Sequence, residues 1–166
     1  LIVLDSGHLT PHAGVQTDWL RRALEGHSDR PLCLVAYHVP LFPGFRLPSG
    51  AMPSAGREFW QPLFEQYNIT AALEHHDHIF KRTVLIRGDE ETEDGILYLG
   101  DGAFGRPTKP VEGPRQVHLG RRWYLHKLES RGHFWRVDVD AAGASATFTA
   151  LDEEGIEFDQ VTRLAR

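Results

Sequence analysis

Three short apolar runs constrain this chain more than any other feature. "LIVLD" opens it, "PLCLVAYH" spans residues 31–38 and "ITAALE" spans residues 69–74. None shows the alternation of a half-wetted strand, so each reads as a strand covered on both faces. Helical periodicity fills the gaps between them. "GVQTDWLRRALEG" places Val15, Trp19, Leu20, Ala23 and Leu24 on one face, and Gly26 supplies a stop. "REFWQPLFEQYN" does the same with Phe59, Leu63, Phe64 and Tyr67. Strands that alternate with helices, followed by a β meander, imply helices packed on a mixed sheet. The segment "VPLFPGFRLPSGAMPSAG" is too rich in Pro and Gly for regular structure and reads as a long functional loop.

From Phe80 onward the period changes. "FKRTVLIRG", "GILYLG", "RWYLHKLE", "HFWRVDVD", "ASATFTAL" and "IEFDQVTRL" are short segments, several alternating with period two, separated by Gly, Asp and charged turns. They predict an antiparallel meander with no helix of comparable strength. The expected class is α/β (α+β), with residues 1–166 as one domain or most of one.

Composition narrows the function. The chain has 166 residues and 41% hydrophobic content, enough for a core. Its formal net charge is −5, with both signs mixed along the chain, so neither a nucleic-acid-binding block nor a disordered acidic tail is indicated. No apolar run approaches the ~20 residues that span a bilayer. The single cysteine, Cys33, excludes an internal disulfide and reads as a buried, inert thiol. The chain does not begin with methionine, its only one being Met52, and a strand as apolar as "LIVLD" needs neighbours. A piece of a longer chain is therefore expected, and compartment is not readable.

Chemistry concentrates in the histidines. Two of the three buried strands end in one: "LVAYH" at His38 and "AALEHH" at His75 and His76, with His78 close behind. Ligands of open α/β sheets bind at the carboxyl ends of strands, so these imidazoles are expected on one rim. His76 and His78 form an H-x-H pair able to face one ion. Imidazole suits Zn, Fe, Mn or Ni, whereas Ca or Mg would want carboxylates.

The order and spacing of "LVAYHVPLF" and "LEHHDHIFKRT" resemble the last two metal-binding motifs of the calcineurin-like metallophosphoesterases, in particular the purple-acid-phosphatase-like branch. That family has a strand ending in His followed by x-Pro, then a helix, then a strand delivering G-H-x-H. "LDSG…Q…WL…L" and "ILYLGDGAFG" resemble the family's flanking segments, so the likeness covers nearly the whole chain. It implies the C-terminal half of a four-layer α/β/β/α sandwich. It also implies a two-metal centre of Mn, Fe or Zn that hydrolyses a phosphate mono- or diester, with His38 and His76 on one metal and His78 on the other. This chain alone would then hold at most one ion, weakly.

The sequence departs from that pattern in several places. The family's D-x-H, G-D-x-x-D and G-N-H-[DE] motifs do not occur, so no bridging carboxylate is supplied; Asp5 and Asp101 do not stand at matching positions. His75 replaces the glycine, either crowding the turn or adding a ligand, and is also expected as a substrate contact. The loop after His38 has no histidine, which leaves Arg46 as a substrate contact. Asp77 reads either as a partner orienting an imidazole or as a solvated turn residue. His8 and His12 read as surface-loop residues, with a place in the cleft as the alternative. Arg82 reads as a salt-bridge residue rather than a phosphate ligand, and "GDGAFG" as a tight turn rather than a phosphate cradle. His118, His126 and His133 lack metal spacing, and Trp123, Phe134 and Trp135 read as core or sheet-face residues.

Three functions compete: part of a metallophosphoesterase, a non-catalytic binding module that kept the sandwich, and a mononuclear hydrolase using His38, His76 and His78. The last has the three ligands of catalytic zinc but no placed general base. If the family's other sheet is missing, an apolar sheet face is left in water, and self-association near "LIVLD" follows.

Overall fold

In the computed structural model, which describes residues 1–100, 102–113, 122–140 and 142–165, the expected strand–helix alternation is present. Strand β1 (Ile2–Val3) leads to helix α1 (Val15–Glu25), β2 (Leu34–Tyr37), helices α2 (Ala51–Phe59) and α3 (Gln61–Gln66), and β3 (Ala71–Glu74). The half from Phe80 onward supplies β4 (Phe80–Arg87), β5 (Glu90–Glu91), β6 (Ile96–Gly100), β7 (Leu125–Glu129), β8 (Phe134–Val139), β9 (Ser145–Leu151) and β10 (Glu157–Leu164), and it departs from the expected antiparallel meander at β6, which pairs parallel with β3.

These strands form two sheets. The larger is mixed, in the order β1-β2-β3-β6-β4-β5, with β7 also paired to β4; the smaller is β10-β9-β8. Strands β1, β2, β3 and β6 run parallel, and β4 joins β6 antiparallel. Alternate side chains of the large sheet serve two cores. Val35, Tyr37, Ala72, Ile86, Ile96 and Tyr98 pack with Leu20, Leu24, Trp60, Leu63 and Phe64 of the helical layer. Ala71, Leu97 and Leu99 pack with Ala146 and Phe148, with Trp135, Val137 and Val161 alongside. This is the period of two expected of a sheet buried on both faces.

The face expected to lie in water is partly covered by the chain's own three-stranded sheet: Ala71, Leu97 and Leu99 are buried there, whereas Leu34 and Leu73 are only half-buried. The β1 edge is more exposed: Leu1, Val3, Val15 and Trp19 are all solvent-accessible, so "LIVLD" is not the fully buried strand its composition predicts. It also follows that the α1 face is narrower than expected. Leu20 and Leu24 are buried and Val15 is 78% exposed.

The Pro/Gly-rich segment is more ordered than its composition suggests. Helix α2 begins inside it at Ala51, with Ser54 N donating to Gly50 O at 3.0 Å. Pro53 is tolerated because the first turn of a helix needs no amide there. Gly56 sits mid-helix where a Cβ would come within 2.6 Å of Leu41 Cδ1. The expected helix over "REFWQPLFEQYN" is divided at Trp60, whose fully buried ring fills the space beneath both halves.

His12 and His133 are buried, at 4% and 3% exposure. His12 packs on Trp60 with ring centroids 4.3 Å apart, and His133 lies 5.2 Å from Phe80. Burial pushes both imidazoles below their ordinary pKa. A group depressed in the folded state takes its proton first in the unfolded chain, so stability is full above pH ~7 and falls as pH drops through ~6.5. The urea midpoint should therefore be lower at pH 5 than at pH 7.5, and the difference should shrink in His12→Phe and His133→Phe. A midpoint unchanged over that range would contradict this.

Candidate functional site

Parallel pairing of β2 with β3 sets Tyr37 opposite Glu74, so the next residues emerge on the same rim. His75 N donates to His38 O at 3.0 Å and continues the ladder one step past the strands. Just beyond, the chain turns through two left-handed residues, His76 (φ 101°) and His78 (φ 56°), an uncommon backbone for side chains of this size. The turn swings the His76 ring back over His38. Nδ1 of His76 and Nε2 of His38 are 2.8 Å apart, a hydrogen bond that requires one of the two nitrogens to be unprotonated. Gly102 abuts the turn: a Cβ there would lie 2.8 Å from His76 N. The "GDGAFG" stretch therefore supports the turn; Asp101 itself lies outside the described residues.

A third imidazole joins from the first strand's loop. The His8 ring lies 5.2 Å from that of His38 and 6.5 Å from that of His76. Asp5 folds this loop, its carboxylate accepting the amides of His8 (3.0 Å), Leu9 (2.8 Å) and Thr10 (2.6 Å). The surface-loop reading of His8 missed this proximity. The available signal was its position after a third strand of the same parallel set. His12, from the same loop, is instead a buried packing residue.

Asp77 is not a solvated turn residue. Fully buried, its carboxylate accepts the amides of Phe45 (2.7 Å) and Arg46 (3.1 Å) and pairs with Arg46 Nε at 3.2 Å. It ties the histidine turn to the loop after β2. Other cations hold that loop through its carbonyls. Lys81 donates to Phe42 O (2.8 Å), Arg57 to Leu41 O and Pro48 O, and Arg122 to Pro43 O and Phe45 O. Beneath them Glu74 accepts from Tyr37 Oη and Leu41 N, both at 2.7 Å, and from Lys81 Nζ. A segment without regular structure is thereby made rigid, its buried carbonyls satisfied by side chains.

The remaining expected residues divide. Arg46 stands next to the pair and lines an open groove with His76. His75, read as a substrate contact, turns its Nδ1 to the Tyr37 carbonyl (2.9 Å) and lines a separate cavity with Phe104 and Trp135. Its φ is not left-handed, so a glycine is not required at that position. His78 shares the turn but not the pair's hydrogen bond. Arg82 is bidentate to Asp159, as the salt-bridge reading expected. His118 lies outside the described residues, and His126 is exposed on β7.

Several cationic side chains stand near the histidine turn of a chain whose net charge is −5. Burial, and then Arg46 and His38, lower the His76 pKa to about 4. His38 is lowered by burial and by its neighbours His8, His75 and His78. His78 is lowered by burial, Lys109, Arg106 and Arg46. Sequence reasoning did not anticipate Lys109 or Arg106. Neutral imidazoles ringed by permanent cations can ligate a metal or meet a phosphate.

The fit to the metal centre implied by the resemblance is partial. His38 and His76 converge on one point, which suits two imidazole ligands. Asp77 is engaged with the loop and Asp5 with its own amides. Among the described residues no group of three or more His, Cys, Asp or Glu side chains is arranged to hold a metal. These residues alone do not complete a metal centre.

No protein-family model and no curated protein matches this sequence. Solved structures do. Purple acid phosphatase PPD1 from yellow lupin (Lupinus luteus) seeds superposes with a TM-score of 0.75 at 16% identity, over 96% of this chain and 30% of its own. The fold is a purple-acid-phosphatase-like α/β sandwich. GAP50, the anchor in the inner membrane complex of Plasmodium, superposes with a TM-score of 0.73 at 10% identity, over 99% of this chain and 48% of its own. At such identities the likeness is one of fold, and this chain spans less than half the length of either structure. No helix among the described residues is long and apolar enough to cross a membrane.

Proposed function

We propose that this chain supplies the imidazole half of a phosphate-ester site in a metallophosphoesterase, and that it is the C-terminal part of that enzyme's sandwich. The observation that carries this reading is the His38–His76 pair, 2.8 Å between nitrogens on the rim of two adjacent parallel strands, with Arg46 beside it. In the complete enzyme His38 and His76 would hold one divalent metal and His78 a second, and such ions supply Lewis acidity toward a phosphoryl oxygen. The carboxylate ligands would come from outside the residues described. The substrate would be a phosphate mono- or diester, its charge met by Arg46.

The test is calorimetric titration of this chain with Zn or Mn. Weak binding is expected, weakening further at low pH as the imidazoles protonate, and it should be lost in the His76→Ala, His78→Ala double variant. Equal affinity in both proteins would remove the assignment. A non-catalytic binding module is the second reading. It is favoured by the incomplete ligand set and by a structural neighbour described as an anchor.

A further inference from the structure

Beside the histidine pair lies an open groove of about 490 Å³, within the range of small-molecule sites. Its walls are apolar, built chiefly from Val39, Pro40, Pro43, Phe45, Leu47 and Met52; Arg46 and His76 contribute its only polar side chains among the described residues. Leu47 is 69% and Met52 37% exposed, so apolar side chains face water there. The walls are preformed, because Asp77, Arg57, Lys81 and Arg122 hold the loop that makes most of them.

We propose that this groove receives the aromatic arm of an aryl phosphate ester, whose phosphate lies against Arg46 and His76. The proposal rests on the phosphoesterase reading and names the substrate class for the same site. Two physical arguments favour an aryl arm over a sugar or nucleotide, and a third places the phosphate. Hydroxyls of a sugar would give up water for walls of Pro, Leu, Met and Val that offer no hydrogen bond. A flat apolar ring would cover Leu47 and Met52 and gain their burial. The anionic group belongs at the Arg46 end of the pairing, where Lys109 and Arg106 add positive potential around the histidine turn.

The experiment uses hydrolysis-resistant probes on this chain in metal-free buffer: methylphosphonate, phenylphosphonate, 1-naphthylmethylphosphonate and the uncharged 1-naphthylmethanol, each titrated calorimetrically. Affinity should rise at least about tenfold from methyl- to naphthylmethylphosphonate. Leu47→Ser and Met52→Ser should each erase most of that gain and leave methylphosphonate binding unchanged, which also shows that the variants fold. Arg46→Ala should weaken all the phosphonates by a similar factor. Equal affinities for methyl- and naphthylmethylphosphonate would overturn the groove assignment and leave the phosphoesterase reading standing. Naphthylmethanol bound as tightly as its phosphonate, with Arg46→Ala without effect, would overturn the phosphate-ester reading itself. Absence of binding by every phosphonate would overturn the groove assignment.

Discussion

Replacing Lys81 with methionine is expected to destabilise the protein by about 3–5 kcal/mol, the usual result of removing one partner of a buried ion pair. Lys81 and Glu74 are both fully buried, and their contact lies under the loop that follows β2. Without the ammonium, the Glu74 carboxylate keeps only Tyr37 Oη and Leu41 N, two neutral donors, in a site closed to water. The Phe42 carbonyl loses its partner as well. The double variant Lys81→Met, Glu74→Gln should recover much of the loss, because a neutral amide still accepts from Tyr37 and Leu41. Guanidinium unfolding of the wild type and both variants measures this. A single-variant loss below about 1 kcal/mol would show that the pair is not the anchor of the loop. The same variant should weaken phosphonate binding, since the groove walls hang from the carbonyls this network holds.

Turnover of p-nitrophenyl phosphate and of its bis-ester by this chain alone is expected to lie near background. The described residues bring together three imidazoles and a guanidinium, and among them no group of three or more His, Cys, Asp or Glu side chains is arranged to hold a metal. Losing a positioned nucleophile and part of the charge stabilisation commonly removes ~10²–10³-fold for each. A longer form that adds the missing ligands should show activity dependent on Mn, Fe or Zn. That activity should vanish in His38→Ala or His76→Ala. Equal turnover by this chain and the longer form would replace the two-metal reading with a mononuclear one. Inactivity of the longer form with every metal and ester would favour the binding module.

Much of the architecture was legible because it is locally encoded. Uninterrupted apolar runs marked β2 and β3, helical spacing marked α1, and the change of period at Phe80 marked the start of the antiparallel half. Where local reading failed, a distant segment had decided. Helix α2 starts within a Pro/Gly-rich stretch because Gly56 lets Leu41 pack against it and Trp60 fills the space below. Val3 is exposed because β1 is a sheet edge, which no hydropathy pattern within "LIVLD" reports. The partly covered sheet face is the clearest case. The sequence contained both sheets, yet only their packing revealed that the second, formed by β8, β9 and β10, lies on the first.

The candidate site divides the same way. That His38 and His75–His76 share a rim follows from sequence alone, since parallel strands place their carboxyl ends together. Which imidazoles meet does not. The His38–His76 contact spans 38 positions and depends on two left-handed turn residues, the close approach of Gly102, and a buried Asp77 committed to the loop. His8 entered the cluster and His75 left it for the same reason. A strand's direction is set by its own residues and its topology, whereas a ring's direction is set by every element packed around it.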